Sequence, residues 1–231
     1  SIPSLLTSGG SNTAAGSHTT AAFTPTANAL LLATWGSNEA DPHTHTYTNT
    51  HTGSGAWSQV SAGQVADSVT NRHSHGRSQT GPAPGSGTIT NTYTVPQTPG
   101  RAAWIIVEVT GHDTTTPVAE SNSGADTATT LSISLAGVAA GNLGISTVSS
   151  RGSAGTITPG TGETELAESV SPSSNLTVQM QYSTDATHDW STLASLNNVG
   201  LLVEYAQDDG KEFPFVPVSQ PDLVPIGVVG Y

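Results

Sequence analysis

Cysteine is absent from this 231-residue chain, which excludes disulfides, thiolate metal sites and a cysteine nucleophile. Basic residues are nearly absent as well. Arg72, Arg77, Arg101, Arg151 and Lys211 stand against 17 acidic residues, for a net charge of -12. No cluster of cations is available to neutralise successive phosphates, so nucleic acid is set aside as a partner, and anionic membranes are poor partners for the same reason. No apolar run approaches the roughly 20 residues of a membrane-spanning helix. No basic stretch leads into an apolar one, as it would in a signal peptide. Nucleophile-elbow, zinc-protease, P-loop and dinucleotide fingerprints are missing too.

What remains is a chain that is 34% hydrophobic and 10% charged, so Thr, Ser, Gly and Asn must make its surface. Threonine is restricted in helices by its branched Cβ and favours extended backbone, so the composition predicts strands and very little helix. Three continuous apolar runs stand out: Leu30 to Trp35, Ile105 to Val109 and Leu201 to Tyr205. Runs of this length between turn formers are expected in the interior of a sheet. The second and third echo each other as Ile-Ile-Val-Glu-Val and Leu-Leu-Val-Glu-Tyr. They read as core strands tying the two halves of the chain together.

Alternation of apolar and polar residues predicts further strands at 88–95, 130–135 and 176–182, with others at 19–24, 143–150 and 166–170. The segment 43–48 is polar throughout and reads as a solvent-facing strand or loop arm. Residues 61–80 carry little periodicity, which fits a short helix near Val65 or an irregular loop, and 114–126 reads as a long polar loop. About ten short strands at such spacing predict an all-β fold, a single jelly-roll-like sandwich over residues 1–206. Its histidine-rich segment, 41–77, would form a loop or edge. Beyond it, Phe213-Pro214-Phe215-Val216-Pro217-Val218, Pro221, Pro225 and Ile226 to Tyr231 predict an extended C-terminal arm over 207–231. An apolar arm of this kind is suited to docking on a neighbouring subunit through Phe213, Phe215, Val216, Ile226 and Tyr231.

Several residues carry candidate chemistry. His43-x-His45 and His73-x-His75 would each put two imidazoles on one face of a strand. Two such pairs, or one pair repeated around a three-fold axis, would complete a metal's coordination; the competing reading is a solvated edge. Otherwise no cofactor is expected. Glu108 and Glu204 occupy matching places in the echoing runs, where they would either face each other as a glycosidase-like pair or close strands at the sheet rim. The second reading is favoured, and no catalytic residue is assigned. Trp57 and Trp190 lie in the poorest strand contexts and are the reasonable stacking platforms for a sugar.

The order of Thr19-Thr20-Ala21-Ala22-Phe23-Thr24-Pro25 with Ala27-Asn28-Ala29-Leu30-Leu31-Leu32, Ala103 to Asp113, Gly162-Glu163-Thr164-Glu165-Leu166 and Gly200 to Glu204 resembles β-sandwich virion structural and minor tail-type proteins of tailed bacteriophages. The resemblance spans roughly residues 5–206 and is one of scaffold, with no catalytic residues to carry over. It implies a non-enzymatic virion protein, a capsid decoration or cement protein or a minor tail component. Its partners would be major capsid or tail proteins and further copies of itself, with a trimer as one arrangement. The alternative is a carbohydrate-binding adhesion module directed at host-surface glycans, and a glycan hydrolase ranks below both.

Overall fold

The computed structural model describes residues 2–38, 43–66, 71–94, 99–152, 156–173, 175–194 and 196–208. The first half of the chain contributes β1 (Ser4–Ser11), β2 (Ser17–Thr19), β3 (Leu30–Asn38), β4 (His45–Asn49), β5 (Ser58–Ala66), β6 (Asn71–Gln79), β7 (Ile89–Tyr93) and β8 (Arg101–Val109). The second contributes β9 (Val118–Asp126), β10 (Leu131–Ser134), β11 (Leu143–Arg151), β12 (Thr158–Pro159), β13 (Thr164–Val170), β14 (Leu176–Ser183), β15 (Thr187–Ser191) and β16 (Asn198–Tyr205). The all-β sandwich expected from the sequence is what forms, but it is four sheets deep.

Those sheets run β2-β7-β4, β1-β8-β3-β6-β5, β13-β14-β11-β16-β9 and β10-β15-β12. Adding eight to each strand number of the first half reproduces the orders of the second, and all six pairings within each half are antiparallel in both. The chain is therefore two sandwiches of the same winding, stacked through their five-stranded sheets. β5 lies against β9 as β13 lies against β1, and β14 crosses β3 and β8 as β6 crosses β11 and β16. An approximate two-fold axis thus passes between β3 and β11.

Three apolar layers fill the stack. Leu30, Leu32, Ile105 and Val107 meet Ile145, Val178, Met180 and Val203 between the large sheets. Leu31, Trp35, Ile89, Tyr93 and Trp104 fill the first sandwich, with Trp35 and Trp104 stacked at 4.6 Å. Leu131, Ile133, Val148, Trp190 and Leu202 fill the second. The central strands of each large sheet are covered on both faces, so the apolar runs of β3, β8 and β16 show no alternation, as buried strands require. All three runs lie inside their sheets, as their sequence predicts.

Several segments depart from expectation. Of 19–24, expected as a strand, only Thr19 is in one, with an isolated bridge at Phe23. Within 61–80, where a helix or loop was expected, lie the end of β5 and the whole of β6, because the polar side chains of β6 face into layers and not into water. The segment 118–126 is the edge strand β9, not a loop, and its half-exposed polar pattern is what an edge tolerates. β1 carries no apolar alternation and had no counterpart in the sequence reading.

The twin Val-Glu runs are equivalent strands and do not pair with each other. Leu31 faces Glu108 across β3 and β8, and Gly144 faces Glu204 across β11 and β16. Each glutamate is buried and anchors the loop between the second and third strands of its own half. Thr26 donates its backbone N–H and its hydroxyl to Glu108 at 2.6 and 2.7 Å. Ala139 N–H and Asn142 Nδ2 donate to Glu204 at 2.8 and 2.6 Å. The two loops turn alike: Asn28 (φ 54°) and Gly141 (φ 90°) each sit two residues before the strand, in the left-handed region that Asn and Gly tolerate. Hydrogen bonds to a charged acceptor contribute about 1.5–3 kcal/mol each, and losing the acceptor strands buried donors. Glu108→Ala and Glu204→Ala should therefore each lower unfolding free energy by about 2–3 kcal/mol in denaturant titrations. The two costs should be similar, since the two anchors do the same job.

Candidate functional site

All eight histidines of the chain are buried, which is unusual for so polar a residue and makes them the natural place to look for function. His43 and His45 enter the first sandwich from the start of β4. Alternation along β3 sends Leu31, Ala33, Trp35 and Ser37 into this layer, and alternation along β6 sends Ser74 there. Ser37 Oγ lies 2.7 Å from His43 Nε2 and 2.9 Å from His45 Nε2. The two rings stack at 5.4 Å, and both meet the edge of Tyr93. On its other side His45 Nδ1 lies 2.8 Å from Ser74 Oγ and 3.0 Å from Asn91 Nδ2, while Ser74 also bonds Tyr47 OH. Tyr93 OH accepts from Trp35 Nε1 at 3.0 Å and bonds His18 Nδ1 at 2.8 Å. A serine shared by two imidazoles has the groups of an activated nucleophile. Ser37 has no exposed surface, however, so no substrate reaches it.

His73 and His75 lie on the opposite face of the same sheet. Their register partners on β3, Gly36 and Thr34, point with them into the layer between the two halves. His73 Nε2 lies 2.6 Å from Thr147 Oγ1 on β11 and 3.1 Å from Thr34 Oγ1. His75 Nε2 lies 2.5 Å from Tyr205 OH on β16. The Nδ1 atoms of both rings are buried without a hydrogen-bond partner.

This placement corrects the metal expectation. The pair His43 and His45 and the pair His73 and His75 are separated by the sheet that carries both β3 and β6, so they cannot share an ion. Their burial also denies them to a symmetry-related copy, and among the described residues no three His, Asp or Glu gather in ligating geometry. The i, i+2 spacing does put each pair on one face, but those faces are filled with hydroxyl and amide partners. The solvated-edge alternative fails as well, since β4 turns its histidines inward.

The glutamates do not form a pair either. Glu108 points into the first sandwich and Glu204 into the second, on faces directed away from each other. Trp190 is 1% exposed and donates its indole N–H to Gln179 Oε1 at 2.8 Å, so it offers no face to a sugar. Trp57 is half-buried against Tyr47 at 5.4 Å, with its indole nitrogen buried. A sugar platform built on the two tryptophans is thus reduced to one partly covered ring. Phe213, Phe215, Val216, Ile226 and Tyr231 lie outside the described residues.

Sequence reasoning passed over His188, whose Nδ1 and Nε2 lie 2.6 and 3.0 Å from Ser146 and Ser183 hydroxyls inside the second sandwich. It also passed over Asn71, which donates to the Ser149 and Asn197 carbonyls at 2.9 Å each and so pins β6 to the second half. Neither has a sequence signature beyond a polar residue within a strand pattern.

Burial holds these imidazoles neutral. It pushes His73 down to about 3, and His75 and His188 down to about 4, and lowers His45 well below its usual value with the help of neighbouring His43, His73 and Arg72. In the unfolded chain each histidine protonates near pH 6.5, so the unfolded state binds more protons below that pH. The stability contributed by neutral burial is complete above about pH 6.5 and is lost as pH falls toward 4, by up to about 1.4 kcal/mol per pH unit for each such histidine. Glu163 and Glu168, raised by burial, act the opposite way only near the carboxyl range. Urea midpoints should therefore be level between pH 7 and 8 and fall steeply below pH 6, and adding zinc at neutral pH should leave them unchanged. No protein-family model, curated protein or solved structure matches the chain.

Proposed function

We propose that this chain is a non-enzymatic structural protein of a tailed-bacteriophage particle, a capsid decoration or cement protein or a minor tail component, docked through residues 207–231. The observation that carries this reading is that, among the described residues, the serine, histidines and matching glutamates that the sequence and the structure single out for chemistry are spent inside the stack. Ser37, the histidine pairs, Glu108 and Glu204 all serve interior hydrogen bonds. The outside is a Thr- and Ser-rich surface on which Ile2, Leu5, Val170 and Leu196 are the exposed large apolar residues among those described. Such a surface stays soluble with few charges.

The winding of each half supports the same setting. The orders β1-β8-β3-β6 and β2-β7-β4 follow a jelly roll as far as the fifth strand, which joins the larger sheet. Jelly rolls recur in viral capsid and lectin domains, a likeness of fold and not of site. The docking segment starts from the seam between the halves. Asp208 N–H donates to Gly111 O at 3.2 Å, and Gln207 bridges His112. From that anchor the sequence runs into Phe213, Phe215, Val216, Ile226 and Tyr231, whose apolar surface would be buried against a capsid or tail protein or a second copy, with a trimer as one arrangement.

Truncation after Asp208 tests this. The shortened protein should keep its strand circular dichroism and unfolding midpoint and fail to join particles lacking the wild-type protein. A truncated chain that still decorates particles would refute the docking role.

A further inference from the structure

The approximate two-fold axis makes it possible to ask where the halves differ. His75 faces Thr34 across β6 and β3, and Met180 faces Thr147 across β14 and β11, so the two positions are equivalent. By the same register His73, opposite Gly36, is equivalent to Val178, opposite Ser149. One side of the seam is therefore aliphatic where the other carries two imidazoles. Gly36 sits at the crossing itself, where an added Cβ would lie 2.5 Å from Ser149 Oγ and 2.7 Å from a Val178 methyl. The sheets are in close contact there, and both rings are buried.

We propose that this seam is an acid-sensitive joint: protonation of His73 and His75 releases the two sandwiches from each other while each keeps its own sheets. In the neutral state one nitrogen of each ring is bonded across the seam, to Thr147 and to Tyr205. The second nitrogen has no partner, which a neutral ring tolerates as an unused acceptor. A protonated ring has two N–H donors and a charge, and both must be satisfied or hydrated. The groups facing the rings cannot do this. β6 itself contributes Arg77 to that face, β8 contributes Arg101 at its start, β14 contributes Tyr182, β16 contributes Tyr205, and β11 contributes Arg151 at its end. β3 and β5 contribute no titratable group. Glu204 on β16 and its register partner Glu120 on β9 point the other way. At the end of the seam His112 lies near Arg77, Asp113 and Asp208. Among the described residues no carboxylate stands on the face that His73 and His75 occupy, so their protonation adds positive charge to a face whose other charges are arginines.

The seam, and not a sandwich, is what opens first. Each large sheet keeps its hydrogen-bond ladder and its small sheet when the halves part; what is lost is the packing of the two large sheets on each other, β5 on β9 and β13 on β1 included, with the bonds that cross between them, among them those of Asn71, His73, His75, Ser169, Asp113 and Asp208. Opening hydrates the imidazolium rings without breaking a strand.

The test uses the full chain. Small-angle scattering and far-ultraviolet circular dichroism are followed together from pH 7.5 to 4. The radius of gyration should rise below about pH 6 with the strand signal retained. The variant His73→Val with His75→Met gives the first half the residues of the second, and should shift that rise downward by about one pH unit or remove it. A wild-type chain that stays compact to pH 4, loses its strands together with its compactness, or opens at the same pH as the variant overturns the proposal. Should the double variant not fold, hydrogen exchange of the wild-type chain decides. The amides of Asp113 and Asp208, bonded to Ala206 and Gly111 at the junction of the halves, should gain deuterium faster at pH 5 while those of β3, β7, β11 and β15 stay protected in their ladders, and exchange spread evenly through the ladders would refute the joint.

Discussion

The central strands of the two five-stranded sheets are buried on both faces, and the rest of the molecule follows from that constraint. A sheet with one wet face disposes of its polar residues by alternation. Here β3 has no wet face, so every side chain along it must be apolar, small or hydrogen-bonded. Leu30, Leu31 and Leu32 meet the requirement by being apolar on both sides. Thr34 and Ser37 meet it by bonding histidines on opposite faces, and Gly36 by having no side chain where the sheets cross. The same condition on β6 explains why a strand reading Asn-Arg-His-Ser-His-Gly-Arg-Ser-Gln lies in the interior. Neighbouring layers supply partners to its polar side chains, β11 to Asn71 and His73, β16 to His75, and His45 and Tyr47 to Ser74, and leave only the Nδ1 atoms of His73 and His75 among these groups unbonded.

Polar interiors of this kind hold register firmly but depend on protonation state. A neutral imidazole can accept from one hydroxyl and donate to another; Ser37 and Ser74 are placed to use both abilities of His45, and Ser146 and Ser183 those of His188. A chain with few charges and no cysteine thereby obtains specific contacts from neutral polar groups, without disulfides. The cost is sensitivity to acid, since each of these rings is stable in place only while uncharged.

Much of the fold was legible in the chain because periodicity reports burial directly. The runs at Leu30, Ile105 and Leu201 marked strands with both faces covered, and the alternation at Ile89 and Leu131 marked outer strands with one core face, while that at Leu176 marked a strand between an apolar and a polar layer. The echo of Val-Glu reported a real equivalence, though not the pairing first read into it. Both glutamates were reserved for the same loop anchor, and that anchor depends on Thr26, Ala139 and Asn142, whose positions no pattern announces. The candidate site was less legible. The spacing of His43 with His45 and of His73 with His75 correctly placed each pair on one face, but spacing cannot say which face. That is why two pairs that look like one metal centre lie on opposite sides of a sheet. Trp190 was misread for a related reason. Its polar neighbours Asp189 and Ser191 face outward on a strand whose other side is core.

The amino-acid sequence by itself determined the strand content, the buried runs and the repeated glutamate, because these depend on local backbone preference and on the periodicity of apolar side chains. The tertiary structure alone decided that there are two sandwiches and not one, that polar β6 lies inside, and that the histidines serve the interior. Those outcomes depend on which sheet faces cover each other, a relation between residues as distant as His75 and Tyr205 that no local pattern encodes.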